Sequence, residues 1–204
     1  MPALDPRTTA VILIEYQNDF TTPGGVQHAA VQQVMEETGM LANTCALAER
    51  ARRAGASILH AAIHFDEHYP EITQVEYGIL AAIKTVGAFK RGSWGARIVD
   101  VLTPQPGDIQ VEGKRGLDCF ASTNLDFILR QRGITDVALA GFLTNCCVES
   151  TMRSAYERGF GVITLTDCTA TVSAEEQRLA VERNFPMFSR PMSHTAFLAA
   201  LEGK

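Results

Sequence analysis

The sequence predicts an α/β fold: a single-domain, three-layer α/β/α sandwich with a mostly parallel, Rossmann-like sheet. Three observations predict it. Short runs rich in branched apolar residues recur at 10–15 (AVILIE), 136–141 and 161–167, the pattern of strands buried on both faces. Stretches of helical periodicity separate them, and strands alternating with helices require a parallel sheet with helices on both faces. The 204 residues contain no repeat, low-complexity tract or linker, so one domain over 1–204 is expected.

The elements follow in order. Residues 10–15 read as a central first strand, and 15–25, ending in Thr-Pro-Gly-Gly, as loop. Residues 29–55 are helical with a break at Gly39, and Gly55 closes the helix as a C-cap. A second strand spans 56–64. Residues 66–86 are polar and aromatic without clean periodicity, a partly helical excursion over the site. Gly92-Ser93-Trp94-Gly95 leads into a short helix through Leu102. A Pro/Gly turn at 104–108 precedes a third strand at 109–112. A helix covers about 123–132 and ends at Gly133. After the fourth strand, 136–141, the chain turns into a helix beginning near Cys146. Thr144 and Asn145 are good N-cap types there, with Val148, Met152 and Ala155 at helical spacing. The fifth strand is 161–167. Helices follow near 174–183 and 194–201, with a brief strand at 187–188 between them.

Composition excludes several function classes. The chain carries a net charge of -5 and no basic run, so a nucleic-acid partner is not expected. No apolar stretch reaches the ~18 residues of a membrane span, and the N-terminus lacks a signal-peptide pattern. The odd number of cysteines, five, is not a disulfide framework and suits a reduced, cytoplasmic protein. No G-x-G-x-x-G follows the first strand, so no dinucleotide is expected, nor any other cofactor.

Ligands of open α/β sheets bind beyond the carboxyl ends of the strands. Glu15 ends the first strand, Lys114 follows the third and Cys147 follows the fourth. A cysteine at a helix start has its thiol pKa lowered by the helix dipole. A carboxylate could take its proton, a lysine could stabilise the anion, and backbone N–H groups could hold an oxyanion. Each residue alone has an ordinary explanation: loop-capping carboxylate, solvated lysine, small buried hydrophobe. Convergence depends on strand order. His64, Asp66 and His68, spaced H-x-D-x-H, are plausible zinc ligands; alternatively His64 lines the pocket and His68 sits at the surface. Phe20, Trp94 and Phe142 are candidate apolar pocket walls.

The segments ILIEYQNDF (12–20), KRGLDCF (114–120) and GFLTNCCV (141–148), with GSWGARI (92–98) and PGD (106–108) between them, resemble the isochorismatase-like cysteine hydrolases, a family that includes nicotinamidases and N-carbamoylsarcosine amidases. The resemblance covers nearly the whole chain. It implies that Cys147, three residues after Thr144 and just before Val148, is the nucleophile, and that Lys114 is the triad lysine. Glu15 stands where the family has aspartate, a departure that adds a methylene. A second departure is Asp118-Cys119, where many relatives have Ser-Ala. A cis peptide before Leu143 and an oxyanion hole from the Leu143 and Cys147 N–H groups are implied too. Some nicotinamidases bind a metal through D-x-H and further histidines; the spacing here differs, so no metal is expected and nicotinamide is disfavoured. The implied activity is hydrolysis of a small amide or carbamoyl substrate through a cysteine thioester, by a homo-oligomer, dimer or tetramer. Two other readings stay open: vinyl-ether hydrolysis of the isochorismatase type, and a non-catalytic small-molecule-binding protein, motivated by Glu15.

Overall fold

Along β1 (Thr9–Ile14) every residue is buried, and the pleat sends alternate side chains to opposite faces. Val11 and Leu13 enter one apolar core, while Ala10, Ile12 and Ile14 enter another. A strand buried on both sides must be central. The computed structural model, which describes residues 3–203, places it so.

The chain continues through α1 (Asn18–Thr21), α2 (His28–Thr38), α3 (Met40–Ala54), β2 (Ser57–Ala61), α4 (Gly78–Val86), β3 (Ile109–Gln110) and α5 (Leu125–Gln131). Then follow β4 (Asp136–Phe142), α6 (Glu149–Glu157), β5 (Gly161–Ala170), α7 (Ala174–Leu179), α8 (Phe185–Phe188), β6 (Arg190–Met192) and α9 (His194–Leu201). The sheet is parallel throughout, in the order β3-β2-β1-β4-β5-β6. Val31 and Val34 of α2, Leu47 of α3 and Phe197 of α9 pack on one face. Leu125 and Leu129 of α5, Met152 of α6 and Phe185 of α8 pack on the other. Strand order reverses between β1 and β4, the point at which such sheets open a crevice. Among the described residues no helix is long and apolar enough to cross a membrane.

Gly39 and Gly55 both adopt the left-handed conformation and end α2 and α3, as expected from sequence. Four local expectations are corrected. The segment after Gly92 holds turns and a 3₁₀ turn at Asp100–Leu102 instead of a helix, because its backbone pairs with the loop after β1 through Asn18 N to Arg97 O and Val99 N to Tyr16 O. Residues 187–188 do not form the last strand. The α7 helix continues through a π-helical stretch, Ala180–Asn184, into α8, which buries Phe185, and β6 begins two residues later. The fifth strand runs three residues further than expected, to Ala170, paired there with Phe142. Only two residues of the third strand pair, Leu59 with Ile109 and His60 with Gln110.

Candidate active site

Glu15 follows β1 directly. Its backbone is left-handed, φ 57°, uncommon for a residue with a side chain and a mark of a constrained position. The side chain is buried, and its Oε1 lies 2.6 Å from the Lys114 Nζ, both groups being 2% exposed or less. Lys114 directs hydrogen bonds from Nζ to the Gly116 and Leu117 carbonyls, 2.6 and 3.0 Å away. Glu15 Oε1 meets the same ammonium as its charge partner. Burial works against the Lys114 charge, yet Glu15 and then the thiols of Cys147 and Cys119 more than offset this and hold the ammonium above its ordinary range.

The third strand is not beside the first; β2 lies between them. Lys114 reaches the β1 end because its loop crosses the end of β2. Val111 N donates to His60 O at 2.8 Å, and His64 N approaches Lys114 O at 3.5 Å.

Cys147 arrives from the opposite side, in the turn that follows β4, the direct neighbour of β1. Gly141 makes that approach possible: at φ 136°, a Cβ on it would collide with the Ile14 carbonyl. The Phe142–Leu143 peptide is cis. The chain then forms a π-helical turn, Thr144–Val148, before α6 begins, a local form frequent at functional sites. Thr144 and Asn145 do not cap it. Thr144 Oγ1 donates to Gln177 Oε1 at 2.6 Å, and Asn145 Oδ1 accepts from Thr171 Oγ1 at 2.6 Å, so both tie the turn to the α7 region. The Leu143 N–H donates to no partner among the described residues.

The thiol itself corrects an expectation. Its pKa is raised, not lowered. The hydrogen bond with Cys146, burial and the Glu15 carboxylate push it up, and Lys114 pulls down less strongly. Cys147 is 4% exposed, and desolvation of a thiolate outweighs a short helix dipole. The resting sulfur is therefore a neutral thiol that needs a base.

Gln17 and Thr151, to which sequence reasoning gave no role, hold this arrangement. Gln17 Nε2 donates to the Ile63 and Ala96 carbonyls, both at 2.8 Å, and its Oε1 accepts from Ile63 N. Thr151 Oγ1 donates to Cys147 O at 2.7 Å and accepts from Cys119 N at 3.1 Å, linking the nucleophile turn to the lysine loop. Burial pushes the Cys119 thiol up to about 11. Asp19 serves the loops, its Oδ2 accepting from Phe89 N at 2.7 Å.

Of the candidate pocket residues, His64 lines two adjoining clefts of about 460 and 490 Å³, which share Ala62, His64 and Gln110; Lys114 lines the second. Burial lowers the His64 pKa, and Arg91 and Arg115 add to the effect. Phe142 is wholly buried and stacked on Phe20 at 4.8 Å, so both form the floor of the core here. Trp94 is 42% exposed and lies beside Gly24. The H-x-D-x-H donors diverge: Asp66 pairs with Arg91 at 2.8 Å, and His68 is exposed on a left-handed backbone.

The family described as Isochorismatase domain matches residues 9–196. Ureidoacrylate amidohydrolase RutB of Methylobacterium radiotolerans is 34% identical over 197 residues, which cover 91% of this chain and 76% of that protein. The RutB of Caulobacter segnis is 33% identical over 204 residues, covering 95% and 85%. Among solved structures, an isochorismatase family protein from Burkholderia thailandensis superposes with TM-score 0.79 at 28% identity, covering 99% of both chains. A cysteine hydrolase from Pseudomonas syringae pv. phaseolicola gives TM-score 0.82 at 22% identity, covering 100% and 96%, a likeness of fold.

Proposed function

The chain belongs to the isochorismatase family, and from that premise we propose that it hydrolyses an amide or carbamoyl C–N bond of a small molecule, with Cys147 as nucleophile, Glu15 as base and Lys114 as the cation between them. The ureidoacrylate amidohydrolases to which it is similar support the bond type. The observation that carries the mechanism is the neutral, buried thiol beside a buried carboxylate, Glu15, that is paired with Lys114 at 2.6 Å. Glu15 takes the Cys147 proton, and the thiolate attacks the carbonyl carbon. The oxyanion that forms is held by the Leu143 and Cys147 N–H groups, the kind of preorganised donor that stabilises developing charge best. The nitrogen leaves with the proton from Glu15, and water, deprotonated by the same carboxylate, releases the acid from the thioester. Lys114, 2.6 Å from Oε1, holds the Glu15 side chain in place through these steps. A homo-oligomer in a reducing cytoplasm is part of the same proposal, and light scattering on the purified chain tests the assembly.

A screen of small ureas and amides for released ammonia, run beside Cys147→Ala, tests this reading. Turnover lost in the variant with an unchanged circular dichroism spectrum is the expected result. An acyl group trapped on Cys147 in a quenched reaction separates thioester chemistry from vinyl-ether hydrolysis. Retained turnover in Cys147→Ala refutes the mechanism.

A further inference from the structure

The far end of β5 gathers three different donor groups away from the reacting residues. Successive residues of a strand face opposite sides of a sheet, and Ile163 and Leu165 both enter the core that α2, α3 and α9 cover. Cys168 and Ala170 enter that same core, so the alternation changes phase between Leu165 and Cys168. The register gives the reason. Leu139 pairs with Thr164, but Gly141 pairs with Thr169, so β5 bulges against β4 over this stretch. A bulge re-aims side chains. Asp167, in phase with Leu165, and Cys168, in phase with Ala170, therefore turn to the same side although they are neighbours in sequence. The residue that meets them there is His194, the first of α9.

Asp167 Oδ1 accepts from His194 N, and Oδ2 pairs with His194 Nδ1, both at 2.7 Å. Cys168 Sγ lies 3.8 Å from Asp167 Oδ1. One oxygen, one sulfur and one ring nitrogen of the three residues all lie within 4.8 Å of one another. Capping α9 does not require this, since Ser193 Oγ already accepts from Ala196 N at 3.2 Å. The strand residues are also fixed through their carbonyls: Asn43 Nδ2 donates to Asp167 O at 3.0 Å, and the Tyr16 hydroxyl to Cys168 O at 2.7 Å. Cys168 is wholly buried, whereas the His194 and Asp167 side chains are 14% and 27% exposed, which leaves one side open to solvent.

We propose that Asp167, Cys168 and His194 form a zinc(II) site, with water as the fourth ligand on the open side. Zinc holds sulfur at about 2.3 Å and nitrogen or oxygen at about 2.0–2.2 Å in a tetrahedron, which sets its donors roughly 3.3–3.6 Å apart. The cluster needs side-chain movements of only about 1 Å to reach that shape. A mixed sulfur, nitrogen and oxygen set suits zinc and not magnesium or calcium, which take oxygen. The thiol proton passes to solvent as the sulfur is coordinated. None of these donors belongs to the H-x-D-x-H segment. Cys168 lies in the core on one face of the sheet and Cys147 in the core on the other, so the ion clamps α9 to β5 and stands apart from the hydrolytic reading.

The test titrates the full chain, stripped with a chelator, with zinc in competition with a chromophoric indicator, beside His194→Gln, Cys168→Ser and Cys147→Ala. The unmodified chain and Cys147→Ala should each take up about one equivalent at micromolar zinc, and the other two variants should bind at least about tenfold more weakly. At free zinc a hundredfold above its Kd the melting temperature of the unmodified chain should rise by roughly 5–10 °C, and that of His194→Gln should not. Cobalt(II) in place of zinc should show a thiolate charge-transfer band in the unmodified chain. If Cys168→Ser does not fold, His194→Gln and the cobalt band decide. No uptake by the unmodified chain at micromolar zinc, undiminished uptake by His194→Gln, a cobalt complex without the sulfur band, or uptake lost in Cys147→Ala would each overturn the proposal.

Discussion

Replacing Lys114 with methionine isolates the energetics of the site from its chemistry. The substitution nearly conserves volume but removes the ammonium 2.6 Å from Glu15 Oε1, in a place where neither side chain is more than 2% exposed. It also strips the Gly116 and Leu117 carbonyls of their donor. Removing one partner of a buried ion pair costs about 3–5 kcal/mol, because the other is left charged and dry. For a chain of this length each kcal/mol lowers the melting temperature by roughly 2–4 °C, so Lys114→Met should melt about 6–20 °C below the parent at pH 7. Adding Glu15→Gln removes the stranded charge, and the double variant should recover about 1–3 kcal/mol relative to the sum of the single changes. Urea unfolding followed by circular dichroism gives all four corners of the cycle. A Lys114→Met chain within about 1 kcal/mol of the parent would refute the claim that these groups form a desolvated pair.

Further outcomes follow from other groups. Gly141→Ala forces a Cβ into the Ile14 carbonyl at a φ of 136°, and should cost at least about 2 kcal/mol in the same urea assay; an unchanged midpoint would contradict the close approach of β1 and β4. The raised Cys147 pKa predicts that alkylation by iodoacetamide, located by peptide mass spectrometry, climbs about tenfold per pH unit from 7 to 9, whereas a plateau below pH 7 would show a resting thiolate. Burial holds the His60 imidazole below its ordinary pKa, against the pull of Asp108. The folded chain therefore binds fewer protons than the unfolded one, and the contribution, full above about pH 6.5, is lost as pH falls through the folded value. The urea midpoint should drop between pH 7 and 5, and His60→Gln should flatten that slope; an equal slope in the variant would remove His60 from the account.

Local pattern made most of the fold legible. The branched run at β1, the paired glycines 39 and 55 and the alternation of strands with helices each rest on short-range physics, and the structure agrees with them. What stayed hidden depends on partners far away in the chain. Residues 92–102 lack a helix because the loop after β1 claims their backbone groups. The helix start at Thr144 lacks its caps because Gln177 and Thr171 bind those side chains. Glu15, Lys114 and Cys147 could be named as a set from their motifs, but the ionisation of the sulfur could not, since it is decided by burial and by Cys146 rather than by position along a helix.

The outer strands of the sheet, β3 with two residues and β6 with three, one of them Pro191, have a bearing on how the molecule behaves in a crowd. Open ladders recruit other chains through rows of free amides, and short, proline-bearing rims offer almost no such row. The rims of this sheet therefore offer another copy little backbone to pair with.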